Sequence, residues 1–335
     1  MKDHVERRTF LKNSMLAAGA AALPFGFEER ALLARAEDAR ASSTSADGSN
    51  KTRGTAVAPQ TQAAAGAIPK GQIGDITVSR LICGGNLTSG IAHSRDLLYV
   101  SKLLKNYFTD EKIFETWRLA EESGVDTAIL RLDANTIRLI NKYWREQSGG
   151  VQWIAQIKPR PDDLTTDVQM AIDNGAAGVY VQGETGDAFV RNGQVAMLGK
   201  IIETIKGHGV IAGMGAHDLN VVVACEKEGI ASDFYMKTFN SKSYWSAGPM
   251  PRHDSVFEET PKETAEFMKT VEKPWIAFKV LGAGAIPPRE GFQYAFENGA
   301  DFICVGMFDF QVKEDAALAS RILAAEMKRE RPWRS

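Results

Sequence analysis

The sequence predicts a single closed (β/α)8 barrel, eight parallel strands each followed by a helix, and three observations lead there. From Ile73 onward, short apolar runs alternate eight times with amphipathic stretches whose apolar positions recur every three or four residues. Several of those stretches stop at a glycine (Gly124, Gly149, Gly175, Gly209, Gly229 and Gly299), and a new apolar run starts within a few residues. The repeats occupy about 260 residues, the length of a barrel of this kind. An open, doubly wound sheet is the rival, but it usually carries a G-x-G-x-x-G turn after its first strand, and "CGGNLTSG" lacks that spacing.

The elements follow in order. "SRLICGGN" is the first strand, and the long stretch from Leu87 to Asp110, with "SKLLKNYF" in it, is either a cover for the barrel mouth or a surface decoration. "KIFETWRLAEESG" is a helix, "VDTAILRL" the second strand, "TIRLINKYWREQSG" a helix and "VQWIAQIKP" the third strand. "DVQMAIDNG" leads to "AAGVYVQGE", and "VAMLGKIIETIKGHG" to "GVIAGMGAHD". Asp218 reads as the N-cap of "LNVVVACEKEG", since its short carboxylate can accept from the unpaired first N–H groups. "SDFYMKTFN" and "PWIAFKVLGAG" are the sixth and seventh strands, and "EGFQYAFENG" connects to the eighth, "ADFICVGMFDF".

The 335 residues are 44% hydrophobic and 24% charged with a net charge of -2, the balance of a globular protein with no basic excess to recruit nucleic acid. The three cysteines, Cys83, Cys225 and Cys304, form no C-x-x-C pair, so no cysteine-built metal centre is expected. They read as buried thiols; a Cys83–Cys304 bridge requires adjacent first and last strands. At the start, "ERRTFLKNSMLAAGAAALPFGF" resembles a twin-arginine export signal, with Arg7 and Arg8 as the paired arginines. Its apolar run, Ser14 to Phe25, is too short to span a bilayer. Ala39-Arg40-Ala41 or Ala34-Arg35-Ala36 would be the cleavage site, and no cysteine follows to take a lipid. The expected organisation is a signal at 1–41, a disordered linker at 42–68 made of small and polar residues, and a barrel at 69–335. The signal implies a bacterial protein that folds in the cytoplasm, engages the twin-arginine export machinery and works in the periplasm or otherwise outside, without a stable membrane anchor.

Chemistry in such barrels sits at the C-terminal ends of the strands. The polar residues expected there are Asn86, Arg131, Asp133, Lys158, Gln182, Glu184, His217, Asp218, Lys237, Asn240, Lys279, Asp309 and Gln311. A lysine in an apolar strand is costly unless it is paired or functional. Lys158, Lys237 and Lys279 therefore point to an anionic ligand or a catalytic lysine, or else to structural pairs with Glu184, Asp133 and Asp309. The Gly-Ala-Gly after Lys279 can offer backbone N–H groups to a phosphate. His217 is either a general base or metal ligand, or a locally bonded residue at a helix start. Glu184, His217, Asp309 and His253 share strand-end positions, but their spacing supports no metal site. The loop with Tyr244, Trp245, His253 and Asp254 is a candidate lid over a sugar-like substrate.

From "IGDITVSRLICGGNL", "GVDTAIL", "IAFKVLGAGAI" and "VGMFDFQVKEDAALA" the chain resembles the aldo/keto reductase superfamily over most of Ile73 to about Ala324. The resemblance implies a small carbonyl or sugar-type substrate and NADP(H) held by Lys279, Gly282, Gly284, Gly306 and Gln311, with Asp315 near the family's asparagine. It implies that Asp126 and Lys158 stand at the tetrad's aspartate and lysine, while Arg131 replaces the tyrosine and Gln182 the histidine. An arginine does not release a proton near neutral pH, so another donor is needed: Lys158, His217, a water, or Tyr180 if it points inward. Three readings stand: an NADP(H)-linked oxidoreductase with a degenerate tetrad, a Schiff-base lyase, and a ligand-binding barrel without catalysis. For the lyase, "YMKTFNS" and "FKVLGAGAI" resemble the paired lysines of deoxyribose-phosphate-type aldolases, with Lys237 as nucleophile and Lys279 lowering its pKa.

Overall fold

The computed structural model describes residues 67–93, 97, 99–244, 247 and 258–335. The residues expected to form the signal sequence, all but 67 and 68 of those expected to form the linker, and Trp245, His253 and Asp254 of the candidate lid lie outside the described residues. The barrel is built from β3 (Leu81–Gly84), β4 (Thr127–Arg131), β5 (Gln152–Ile157), β6 (Gly178–Val181), β7 (Ile211–Ala216), β8 (Phe234–Thr238), β9 (Trp275–Phe278) and β10 (Phe302–Val305). All eight pair in parallel and close as β10-β3-β4-β5-β6-β7-β8-β9, so each expected strand is found. Around them run α1 (Tyr99–Tyr107), α2 (Asp110–Glu122), α3 (Ala134–Glu146), α4 (Thr166–Asp173), α5 (Gly183–Arg191), α6 (Val195–Gly207), α7 (Leu219–Lys227), α8 (Pro261–Thr270), α9 (Pro288–Glu297) and α10 (Asp309–Ala324).

Five of the glycines expected at helix ends, Gly124, Gly175, Gly209, Gly229 and Gly299, take positive φ. After α3 it is Ser148 that takes this conformation (φ 55), while Gly149 lies under the Tyr143 ring, where a Cβ would come within 2.0 Å of Cε1. Asp218 caps α7 as expected, accepting from Asn220 N at 2.9 Å.

Strand side chains alternate between two apolar layers. Ile82, Ile129, Ile154, Tyr180, Met236 and Cys304 fill the lumen. Leu81, Ala128, Trp153, Val179, Tyr235 and Ile303 pack under the helices. This alternation answers the cysteine question. β3 and β10 do adjoin, with Cys83 opposite Val305 and Cys304 opposite Ile82, but Cys83 faces the helices and Cys304 the lumen. All three cysteines are free and buried.

The floor of the barrel, its N-terminal end, holds two features that the periodicity does not announce. An antiparallel hairpin, β1 (Lys70–Ile73) and β2 (Ile76–Ser79), drops Ile73 and Val78 into the lumen cluster. Ile68 just before it is 3% exposed and packs in the outer core, so the packed body includes this residue. On the same end, residues 329–335 lie over the start of β10. There the buried Asp301 accepts from Arg331 (2.6 Å), Arg329 (3.1 Å), Trp275 N and Arg334 N (2.9 Å each). Trp333 lies between two guanidinium groups, with Arg329 3.7 Å and Arg80 3.9 Å from the ring centroid.

Helix α10 packs on α2 and α9 and carries Asp315 at 5% exposure. Burial, reinforced by Glu314, pushes this carboxyl up from 3.8 to about 6. A raised folded-state value means that the stability linked to this proton is complete below about pH 3.8 and is lost as pH rises through about 6. Asp315→Asn is therefore expected to raise the thermal midpoint at pH 7.5 by about 2–5 °C and to change little at pH 4, by scanning calorimetry at both values.

Candidate functional site

Eight strands in this ring place β4 across the lumen from β8, and β5 across from β9. Side chains in the lumen phase just past the strand ends form the rim. On one side stand Arg131, the last residue of β4, and Lys158, the first residue after β5. Arg131 is half-buried and its Nε lies 2.9 Å from Asp133 Oδ2. Asp133 also accepts from Thr136 N at 2.8 Å as the N-cap of α3, so the carboxylate that orients Arg131 is itself fixed. Lys158 is exposed, and its backbone N–H donates to Asp167 at 3.0 Å. Asn86 is exposed past β3, and Gln182, past β6, accepts from the Thr185 hydroxyl at 3.2 Å.

Facing them is His217, the residue after β7. Its Nδ1 lies 2.9 Å from Asp187 Oδ2 on α5, and the other oxygen of Asp187 accepts the backbone N–H groups of His217 and Asp218, each at 3.0 Å. Asp187 is 6% exposed. With the carboxylate accepting, Nδ1 carries the proton. The imidazole also packs on Phe278, ring centroids 5.5 Å apart. Close backbone approach makes this possible. A Cβ on Gly186 would come within 2.4 Å of Gly215 O, and one on Gly215 within 2.3 Å of Val181 O, so only glycine lets α5 sit tightly enough on β7. Register puts Thr238 beside His217: Ala216 pairs with Lys237 and Thr238 with Phe278.

Two expected site residues, Asp126 and Lys237, stand elsewhere. Asp126 precedes β4 and lies at the floor, where it accepts from Ser79 N (2.9 Å) and Thr127 Oγ1 (2.8 Å) and pairs with Lys70 (2.9 Å). Burial works to raise its pKa, but these partners outweigh it and hold the carboxyl below the usual range. Roughly 16 Å of strand separate it from Arg131, so it serves the hairpin and not the rim. Lys237 occupies the helix-facing phase of β8, since its neighbours Phe234 and Met236 take the lumen. It is fully buried, bonded to Glu258 Oε2 and to Thr238 O at 2.8 Å each. Burial lowers its pKa against the opposing pull of Glu258. Lys279 lies not inside the seventh strand but one residue past it, at φ 57, where its carbonyl accepts from Asn240 Nδ2 at 3.2 Å. Lys237 thus does not join Lys158 at the mouth. Tyr180 does point into the lumen, but below the rim, where its hydroxyl meets Gln156 Nε2 at 2.6 Å and burial drives its pKa far up.

Of the residues expected to hold NADP(H), Gly282, Gly284, Gly306 and Gln311 are bonded or covered within the protein. The Gly282–Gly284 turn returns its N–H groups to itself, Gly282 N to Lys279 O and Gly284 N to Leu281 O. The Tyr244 ring covers Gly282, where a Cβ would meet it at 3.1 Å, and Leu87 covers Gly306 at 3.2 Å. Gln311 Oε1 accepts from Phe308 N at 3.2 Å and so caps α10. The first turn of α10, where a phosphate would be drawn, carries Asp309, bound to Tyr107 at 2.5 Å and Lys112 at 3.0 Å. That pairing also keeps Asp309 from a metal site with Glu184 and His217, and no group of three or more His, Cys, Asp or Glu is suited to a metal among the described residues.

Sequence reasoning missed Asp187. Asp187 rides on α5, whose "GETGDAFVRNG" has the glycine content of a loop. Its one signal was the Gly183/Gly186 spacing ahead of an acid on a short apolar stretch.

No protein-family profile matches the chain, and no curated protein matches it. Solved structures do. A Pseudomonas aeruginosa protein assigned as an aldo-keto reductase is 14% identical, with a TM-score of 0.55 over 76% of this chain and 95% of its own. A Gox0644 variant in complex with NADPH is 9% identical, with a TM-score of 0.51 over 78% of this chain and 90% of its own. At these identities the likeness establishes the barrel fold. A phospho-2-dehydro-3-deoxyheptonate aldolase from Thermotoga maritima, 9% identical, aligns at 0.48 over 76% of this chain and 74% of its own.

Proposed function

We propose that this chain is an exported barrel enzyme that moves a proton on a small carbonyl or sugar-type substrate, with His217 as the acid–base group and Asp187 as the residue that positions it. One observation carries this reading: a buried carboxylate holds both the imidazole Nδ1 and the backbone of His217 at 2.9–3.0 Å. Such an arrangement sets the tautomer and the ring orientation in advance. In the step proposed, Nε2 takes a proton from the carbon beside the carbonyl. The C–H electron pair moves into the C–C bond and the carbonyl pair onto oxygen. Arg131 and Lys158, across the mouth, favour the negative charge that develops. The proton then returns to carbon or oxygen, so the step needs no redox partner.

Solvent-deuterium exchange, followed by NMR on dihydroxyacetone, glyceraldehyde and glucose, tests this. The expected result is exchange with the parent protein, lowered by about 100-fold or more in His217→Gln and about tenfold or more in Asp187→Asn. Equal exchange in His217→Gln overturns the proposal. NADPH that raises the thermal midpoint and reduces the same carbonyls overturns it in favour of the oxidoreductase reading suggested by the family resemblance. Export through the twin-arginine route belongs to the same proposal, supported by Arg7 and Arg8 with the alanine-rich run behind them. Replacing both arginines by lysine is expected to leave the protein in the cytoplasmic fraction.

A further inference from the structure

Large apolar side chains stand exposed together on one flank of the barrel mouth. Helix α1 turns Val100, Leu104 and Tyr107 toward the core, while Tyr99 (63% exposed) and Leu103 (60%), one turn apart, face outward. At the end of α1 the Tyr107 hydroxyl donates to Asp309, the first residue of α10, and the Tyr107 ring meets Phe308 edge-on at 5.6 Å. Phe308 stacks on both Phe108 (5.4 Å, 22°) and Phe310 (5.2 Å, 15°). Phe310 is 65% exposed, so packed rings hold an aromatic side chain out in solvent. An apolar surface thus runs from Tyr99 and Leu103 past Tyr107 to Phe310. It flanks the mouth, because α10 starts just beyond the C-terminal end of β10. The charge beside it is cationic on α1, where Lys102 and Lys105 are exposed, no residue is acidic, and neither lysine is ion-paired among the described residues. At its edge Asp309 and Glu115 converge on Lys112 at 3.0 and 2.7 Å, and Lys313 stands beside Glu314.

We propose that this surface docks the protein reversibly on a bilayer that contains anionic phospholipid. Tyr99, Leu103 and Phe310 enter the headgroup layer, and Lys102 and Lys105 lie over the phosphates. Charge complementarity selects this occupant. Two-fold pairing with a second copy would bring the cationic α1 helices of the two copies against each other, an arrangement that like charges oppose. A bilayer offers an apolar phase beneath a negative surface, which suits exposed aromatic and leucine side chains beside unpaired lysines. Among the described residues no helix is long and apolar enough to cross a membrane, so the contact is peripheral. The proposal is independent of the acid–base role of His217.

A fluorophore sensitive to its surroundings, attached to the full chain at Leu103→Cys or at Phe310→Cys, tests it. The three native cysteines are buried, so the label goes to the introduced thiol. Vesicles of phosphatidylcholine with phosphatidylglycerol are expected to shift the emission of both labels to shorter wavelength. A label at Glu203→Cys, exposed on α6, is expected to stay unchanged. Because each label reports its own surroundings, lipid bound elsewhere on the chain does not reproduce this pattern. Pure phosphatidylcholine is expected to need about tenfold more lipid for half the response, and Lys102→Gln with Lys105→Gln to raise the requirement on anionic vesicles by about tenfold or more. Added salt is expected to weaken the response. No shift at Leu103→Cys and Phe310→Cys, an equal shift at Glu203→Cys, equal responses to neutral and anionic vesicles, or an unchanged response in the double lysine variant overturns the proposal. A shift that grows with protein concentration without lipid overturns it in favour of a second copy. An equal shift with heparin, which offers charge without an apolar phase, overturns it in favour of a soluble polyanion.

Discussion

Arg331→Met is expected to lower the thermal midpoint by about 10 °C, corresponding to a loss of roughly 3–5 kcal/mol. The guanidinium is 1% exposed and makes a full set of bonds. It donates to Met268 O (2.8 Å), Gly299 O (2.9 Å), Asp301 Oδ2 (2.6 Å), Val271 O (3.1 Å) and Lys273 O (2.8 Å). These acceptors belong to the end of α8, the segment leading into β9, and the turn before β10. One side chain therefore ties together the floor ends of two adjacent strands. A methionine fills much of the volume but takes this donor from Val271 O and Lys273 O, while Met268 O keeps Val271 N, Gly299 O keeps Arg329, and Asp301 keeps Arg329, Trp275 N and Arg334 N but loses its closest charged donor. Arg331→Lys keeps the charge without the planar fork and is expected to fall between the two. Chemical denaturation of all three proteins decides the matter, and a loss below about 1 kcal/mol in Arg331→Met would show that Arg329 and solvent replace its bonds.

Lys237→Met is expected to cost a similar roughly 3–5 kcal/mol, because it strands Glu258 as a lone buried charge. Replacing both members, Lys237→Met with Glu258→Leu, is expected to recover most of that loss. The pair exchanges a mutual attraction for desolvation of both groups, and apolar replacements of similar size do without either. A residue of about 1 kcal/mol is expected to persist, since Glu258 Oε1 also accepts from Thr260 N and Thr264 Oγ1 at 3.1 Å at the start of α8. A double variant no more stable than the single one would mean that the two residues act independently. The same pairing bears on carbonyl chemistry: an amine held in the helix layer by a carboxylate is not placed to attack a substrate in the mouth, and borohydride treatment with a carbonyl compound is expected to leave Lys237 unmodified.

The barrel was legible because parallel strands covered on both faces read as unbroken apolar runs, and because glycine after a helix is a local steric requirement. The floor hairpin was not, since four-residue strands such as "KGQI" and "ITVS" carry too few alternations to stand out. Within a strand, the same double burial that reveals its presence conceals its facing. Phe234, Tyr235 and Met236 are all apolar, so nothing local tells that Lys237 turns away from the lumen, and only the closed sheet settles it. Asp126 was placed by a short motif, although the apolar run that follows it, Thr127 to Leu130, puts the strand after the acid and therefore the acid at the floor. The rim position of His217 could be read from the fifth strand's end, whereas its partner Asp187 depends on a contact between α5 and β7 that only the Gly183/Gly186 spacing hints at.

The first and last described segments of the globular unit meet under the barrel. A Cβ on Gly71 would lie 2.6 Å from Ser335 Oγ, and Arg80 reaches the same hydroxyl at 2.9 Å. Joining these segments covalently would close a loop of few residues at little entropic cost, and the backbone could then be reopened elsewhere as a circular permutant. Both segments lie at the end of the barrel opposite Arg131, Lys158 and His217.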